Sequence, residues 1–385
     1  MKNRDFWKKY RDMFLVTVLL AVFVGGIFGV GSMFEIGGSK LRTVILPGEQ
    51  FNSSLVSPPN STVQIEAAIK RPNDFAIYDF EVADQNTLIL SRPENSYTGI
   101  KISMLKLDDN HVKDLATNTE YGVALSPDQE KMIFSEYRSA QAQRTTYEYD
   151  IKSGQRRKLA NDNFYFRRYF GNDTYIGYDI LVFRMIDLST GKKRLLYSDE
   201  EIKNLVAKEN HIPNPDEVWI LPDSMEFSRD LQYFYALVGG DNKFMVYRFS
   251  VNDRNNVVAY TPADEIQQFR VLKNGDLLVQ GIVNKVQGLF IYRNASKRFD
   301  LLMKSNIWSF DLNEDESRIA YFTVLENQKN ELHMAYLEGG KLLSDTVVYR
   351  NIDNFVNLKW NGDNLFVVSS SMEKSEIYRF TFRAW

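Results

Sequence analysis

Residues 126–134 read SPDQEKMIF: a polar turn holding one aspartate, then an apolar run of strand character. Proline presets φ for a turn, aspartate bonds backbone two residues on, and Met-Ile-Phe suits a half-buried pleated surface. The theme returns down the chain. ADQNTLIL centres on Asp84, GNDTYIGY on Asp173, SRDLQYFYAL on Asp230, KNGDLLVQG on Gly275, NEDESRIAYFT on Asp315 and NGDNLFVVSS on Asp363. With Asp128 included, successive centres lie 44, 45, 57, 45, 40 and 48 residues apart. An apolar or aromatic run precedes each turn (IYDFEV, YGVAL, RRYF, MEF, FRVL, WSFDL, VNLKW), so each unit reads as a β-hairpin.

A second series of turns interleaves with the first: KLDDNHVKDL, DIKSGQRRKL, DLSTGKKRLL, SVNDRNNVVAY, YRNASKRFDLL and LEGGKLLSDTVV. One unit is therefore strand, tight turn, strand, variable loop, strand, tight turn, strand. Four antiparallel strands in about 45 residues is the period of a β-propeller blade. The pattern predicts an all-β fold, a seven-bladed β-propeller of four-stranded antiparallel blades over residues 62–385. There are seven first turns but six second turns, and the chain stops at IYRFTFRAW, the third strand of the last unit. An incomplete blade exposes an edge. Residues 62–69, TVQIEAAI, form a spare strand ahead of the first unit and are expected to supply the missing outer strand. Two β-sandwiches also space strands regularly, but would not keep one two-turn grammar through every unit.

The stretch at 126–134 and its echoes SRDLQYFYAL and NEDESRIAYFT resemble the TolB-like and WD-repeat-like propellers, over residues 62–385. A membrane-anchored propeller of the YqgU-like kind is similar in plan. The resemblance implies a fold; its known members include periplasmic partners of envelope proteins and propellers appended to peptidases. The Gly-His…Trp-Asp signature of WD repeats proper is missing.

Ahead of the repeats, residues 13–34 (MFLVTVLLAVFVGGIFGVGSMF) carry no charge. At 1.5 Å per residue such a helix spans about 33 Å, enough for a hydrocarbon core of about 30 Å. Lys2, Arg4, Lys8, Lys9 and Arg11 precede it, so residues 1–12 are expected in the cytoplasm and the remainder outside. No A-x-A-type site follows, which favours an uncleaved anchor over a signal peptide. Gly25 and Gly29 have the spacing of a close helix contact, which chance supplies equally well in a Gly-rich span. Residues 35–61 include PGEQFNSSLVSPPNS and read as a tether.

The chain has 385 residues, a net charge of −3 and no cysteine. The near-neutral balance argues against a nucleic-acid partner, and without cysteine no disulfide or thiolate metal site can form. His111, His211 and His333 show no metal spacing, and no G-x-S-x-G motif occurs. The sialidase-type S-x-D-x-G box fails because Glu130 stands where it needs glycine. No metal or cofactor is called for. The four N-x-S/T sequons, at Asn52, Asn60, Asn172 and Asn294, are taken as chance.

Variable loops gather on one face: SRPENSYTG, EYRSAQAQR, GGDN, IVNKVQG, LENQKNE and SSSMEKSE, together with an insertion at 198–222. There Ser198 and Glu201 make a capping box, predicting a helix over 199–208, then a Pro-broken loop carrying Trp219. That insertion is read either as a partner-binding element or as decoration whose Trp219 packs onto its blade. Candidate binding residues on this face are Arg92, Arg138, Arg144, His211, Trp219 and Lys285. Arg167 and Arg168 join them from an inner strand, where alternation sends one arginine toward the channel and the other between blades. The expected function is a membrane-anchored, non-enzymatic binding or scaffold module outside the cell, with a protein or glycan partner. The alternative is a polysaccharide lyase or hydrolase working in the channel, which needs clustered carboxylates there.

Overall fold

The computed structural model describes residues 63–94, 99–120, 122–138, 143–161, 164, 166–179, 182–240, 243–254, 259–324, 330–350 and 352–383. The chain divides into two compact units, Met1–Leu46 and Pro47–Trp385, and all described residues belong to the second. The expected cytoplasmic tail at 1–12, the span at 13–34 and the tether at 35–61 all lie outside the described residues. Among those described, no helix is long and apolar enough to cross a membrane.

The described strands are β1 (Ile65–Asn73), then consecutive quartets, then a final triplet. The quartets are β2–β5 (Asp79–Asp84, Thr87–Pro93, Ile100–Lys106, His111–Thr119) and β6–β9 (Ala124–Leu125, Lys131–Arg138, Gln143–Asp150, Arg156–Asn161). Next come β10–β13 (Phe166–Tyr169, Thr174–Tyr178, Val182–Asp187, Lys193–Ser198) and β14–β17 (Trp219–Phe227, Tyr233–Gly240, Lys243–Ser250, Ala259–Tyr260). They are followed by β18–β21 (Glu265–Val271, Leu277–Val283, Val286–Arg293, Arg298–Met303) and β22–β25 (Ile307–Leu312, Arg318–Val324, Asn330–Glu338, Lys341–Arg350). The triplet is β26–β28 (Phe355–Asn361, Asn364–Ser370, Ser375–Phe382). They form five four-stranded sheets and one eight-stranded sheet, the latter being two quartets bridged where Thr119 faces Glu136.

Every first and second turn read from the sequence falls between the strands it was expected to join. The opening stretch shows why the code is local. Ser126 Oγ donates to Asp128 at 2.6 Å, accepts from Lys131 N at 2.9 Å, and Gln129 takes φ of 60°. Ser228–Tyr233 repeats this arrangement, with Leu231 at φ 55°. At Asn313–Arg318 the asparagine amide substitutes for the serine hydroxyl.

β1 pairs antiparallel with β28, from Ile65 opposite Phe382 to Asn73 opposite Ser375, completing the last sheet as order β1-β28-β27-β26. The strand starts and ends later than the 62–69 read from sequence. The first strands contact their neighbours in chain order, β2 with β6, β6 with β10, β10 with β14, β14 with β18, and β22 with β26. Gln268 spans β18 to β22 by bonding both the N–H and the C=O of Phe310, and β26 returns to contact β2.

Apolar layers lie between adjacent sheets. The largest joins β10–β13 to β14–β17, where Phe183, Tyr197, Phe234 and Phe249 pack at ring separations of 4.9–5.8 Å. Helix α1 (Asp199–Asn210), two residues longer than expected, buries Ile202, Val206 and Ala207 in this layer. Its capping box is present, Glu201 N–H to Ser198 Oγ and Ser198 N–H to Glu201 Oε2. Ser198→Ala is expected to cost about 1 kcal/mol, read as a small fall in the urea midpoint with unchanged slope.

Candidate functional site

The first strands enclose a cavity of about 540 Å³, within the usual range of roughly 300–1,000 Å³ for ligand sites. Its middle level follows from register. Glu81, Ala124, Arg168, Glu226, Arg270, Asp311 and Lys359 sit opposite Ile89, Ile133, Ile176, Tyr235, Leu278, Ala320 and Phe366, each three to five residues ahead of its first-turn centre. Taken round the channel, these side chains alternate in charge, apart from Ala124. Arg168 pairs with Glu226 at 3.1 Å, Glu226 with Arg270, Arg270 with Asp311 at 3.1 Å, and Lys359 with Glu81 at 2.5 Å. Asp311 also accepts from Trp360 N–H at 3.1 Å, tying β22 to β26. The result is a belt of ion pairs across sheet boundaries.

Burial works to raise the Glu226 carboxyl, but Arg168 and Arg270 together outweigh it and hold the carboxyl below its ordinary range. Arg270 is held firmly charged by Glu226 despite its own burial. Lys359 is likewise raised, because Glu81 and Asp79 outweigh desolvation.

Two residues nearer the start of each strand, the lining changes to Asp79, Gln268 and Asn357. Here β14 is irregular. Between Leu221, opposite Leu237, and Glu226, opposite Tyr235, it carries four residues where β15 carries only Ala236. Ser224 stitches this bulge to the ladder, donating to Leu221 O at 2.5 Å and accepting from Leu237 N at 2.8 Å. The bulge places Asp223 in the cavity wall with Asp79. Bulges commonly re-aim a side chain beside functional sites. Asp223 is open to the cavity's water yet enclosed enough that burial, followed by the charge of Asp79, pushes its carboxyl above the ordinary range. An acid raised by folding costs stability as pH climbs above its unfolded value, and the cost vanishes in acid. Asp223→Asn is therefore expected to raise the thermal midpoint slightly at pH 7 and to leave it unchanged near pH 3, by calorimetry.

The other end of the channel is laced by first turns: Lys273 N–H to Glu316 at 2.8 Å, Arg318 to Asp363, and Asn361 to Gln129 at 2.8 Å. Exposed apolar side chains mark the strand-start end instead. Trp219 is 67% exposed, Trp308 66% and Met372 81%. Trp219 is the first residue of β14 rather than part of a loop, and it does not pack onto its blade.

Of the other sequence candidates, Arg92, Arg144, His211 and Lys285 do not line the cavity. Arg92 is buried against Asp114, Ser103 and the Phe75 ring, and Arg144 is buried against Glu120 and Tyr137. Both guanidinium forks are engaged internally rather than offered to a partner. The Arg138 side chain lies outside the described residues. His211 closes α1 in a left-handed conformation at φ 56°, and Lys285 occupies the turn after β19, its N–H on Asp264. Arg167 and Arg168 both line the cavity; Arg168 joins the belt, while Arg167 turns back to Glu120, Thr146 and Phe164 O. Sequence reading missed Glu81, Glu226, Arg270, Asp311 and Lys359, although the last four each stood as the lone charge within the short apolar run before a first turn, and Glu81 shared its run only with Asp79.

No family model and no curated protein matches the chain. Solved structures do. One is the β-propeller domain of the Trilobed protease from Pyrococcus furiosus, described as an open velcro topology (10% identity, 80% of this chain and 97% of that one, TM-score 0.54). Another is the Cps50 (Swd1) β-propeller domain of Myceliophteria thermophila (12%, 82% and 99%, 0.52). A third is an oligogalacturonate lyase in complex with manganese (11%, 82% and 91%, 0.56). At these identities the likeness shows the fold alone: the described part of the chain is a β-propeller.

Proposed function

We propose that this chain is a closed seven-bladed propeller, anchored by residues 13–34 and held outside the cell, that binds a protein partner at the strand-start end of its channel. The carrying observation is the contrast between the two ends: one is laced by bonds between first turns, while the other carries polar side chains and exposed Trp219, Trp308 and Met372. Binding of this kind needs a surface of fixed shape and no activated residue. A photo-crosslinking residue placed at 219, 308 or 372 in intact cells is expected to capture one recurring protein, and one placed at Asn274 or Asp363 is not. Equal capture from both ends overturns the reading. Protease added to whole cells should also digest the propeller; protection would place it inside.

A polysaccharide-active enzyme is the second reading. It is favoured by one observation, the carboxylates of Asp79 and Asp223 both lining the cavity with Asp223 raised, since such pairs serve as acid and base in sugar chemistry. Release of reducing ends or unsaturated products from uncharged or acidic polysaccharides, abolished in Asp223→Asn, would establish it; no product from wild type would reject it.

A further inference from the structure

We propose that the channel receives a cationic side chain, lysine or arginine, presented by a polypeptide partner and seated between Asp79 and Asp223. The inference rests on the binding reading above and names what enters. It comes from the charge balance of the whole cavity. The cations lining it are Arg167, Arg168, Arg270 and Lys359, and every one is already paired with a carboxylate. Among the described residues, no hydrogen bond or ion pair reaches the carboxylates of Asp79 and Asp223. An entering anion meets no cation without a carboxylate partner, and two carboxylates that no hydrogen bond or ion pair holds, Asp79 drawing only on the longer-range charge of Lys359; an entering cation gives both a direct partner.

Shape agrees with charge. The belt forms a self-satisfied floor below these carboxylates, so a side chain entering from the strand-start end stops against it. Val123, Leu125 and Ala124 line the wall where the belt has no charged member, giving the methylene stem of a lysine or arginine an apolar track. Exposed Trp219 and Trp308 stand at the same end and can hold the flanking peptide or the cation itself through their ring faces. A metal ion is a poorer occupant, since no group of three His, Asp or Glu suited to a metal occurs among the described residues. A neutral sugar has no use for two unpaired charges.

The test titrates full-length protein in nanodiscs with three pentapeptides, Ac-Ala-Ala-X-Ala-Ala-amide with X lysine, arginine or glutamate, and with calcium chloride, by calorimetry. The lysine and arginine peptides are expected to bind saturably, more weakly with added salt, and the glutamate peptide and calcium not at all. Asp79→Asn and Asp223→Asn should each weaken binding roughly ten-fold or more. Ala124→Phe, which fills the apolar track and keeps both carboxylates, should also weaken it. Absence of binding by the cationic peptides, equal binding of the glutamate peptide, calcium binding in their place, or undiminished affinity in both asparagine variants overturns the proposal. The crosslinking experiment fails separately: a captured partner without peptide binding leaves the binding face standing and removes this inference, and the reverse outcome does the opposite.

Discussion

Deleting residues 62–73 lowers the thermal midpoint of the full chain by about 10 °C or more and makes the protein prone to aggregate, because it strips β1 from β28. The ladder between them runs the length of both strands, and Val63 and Ala68 are buried beside it. Each buried aliphatic side chain is worth about 1.5–3 kcal/mol and each net backbone hydrogen bond about 1 kcal/mol. Even after the entropy of ordering β1 is returned, several kcal/mol are lost, at roughly 2 °C for each kcal/mol in a domain of this size. The bared edge of β28 is then free to pair with another chain. A rescue keeps the result interpretable. Arg383 N–H donates to Gln64 O at 3.0 Å, so the far end of β28 lies beside the start of β1. Moving residues 62–73 to follow Trp385 through a short glycine turn rebuilds the same pair as a hairpin and should restore most of the midpoint. A deletion variant that melts with wild type, by calorimetry, shows that the first strand does not hold the ring shut.

The pairing of β1 with β28 was legible in the sequence because it follows from counting turns, and the turns were legible because they are local. Ser126, Asp128 and Lys131 satisfy one another within six residues, as do Ser228, Asp230 and Tyr233, so the pattern survives wherever the chain places it. The belt has the opposite character. Glu226 reaches Arg270 across 44 residues and Arg270 reaches Asp311 across 41. Nothing in one repeat alone announces the pairing. A signal was nevertheless present: Glu81, Arg168, Glu226, Arg270, Asp311 and Lys359 precede their turn centres by three to five residues, and from Arg168 onward their signs alternate. Read as a column through the aligned repeats, that position is an inward-facing ring. Asp223 escaped for a third reason. The 57-residue interval was assigned to an insertion ending at Pro222, whereas part of the surplus lies inside β14 itself as the bulge. A bulge depends on what the partner strand omits, here everything but Ala236, and so cannot be read from one strand. Arg92 and Arg144 show the same limit from the other side. A cation near a strand end looks free in sequence, but Asp114 and Glu120 come to it only once neighbouring strands align.

The belt gives the second large effect. Glu226→Leu is expected to destabilise the protein by about 3–5 kcal/mol, because it leaves Arg168 and Arg270 in a shared, largely enclosed space with no carboxylate between them. A double-mutant cycle locates the cause. If the penalty comes from stranded charge rather than lost packing, Glu226→Leu combined with Arg270→Met recovers a large share, since removing both partners of a buried pair is far cheaper than removing one. Equal penalties in the single and double variants would reject the charge argument. The sign of the pH effect is a further check. The Glu226 carboxyl is held below its unfolded value of about 4.3. Its stabilising contribution is therefore fully present above that value and is lost as pH falls through the lower folded one. Between about pH 5 and pH 2, wild type should lose stability more steeply than Glu226→Leu, so the two unfolding curves converge in acid. Curves that stay parallel across that window would mean that Glu226 takes up its proton over the same pH range folded and unfolded, so that the neighbouring arginines do not hold its carboxylate ionised.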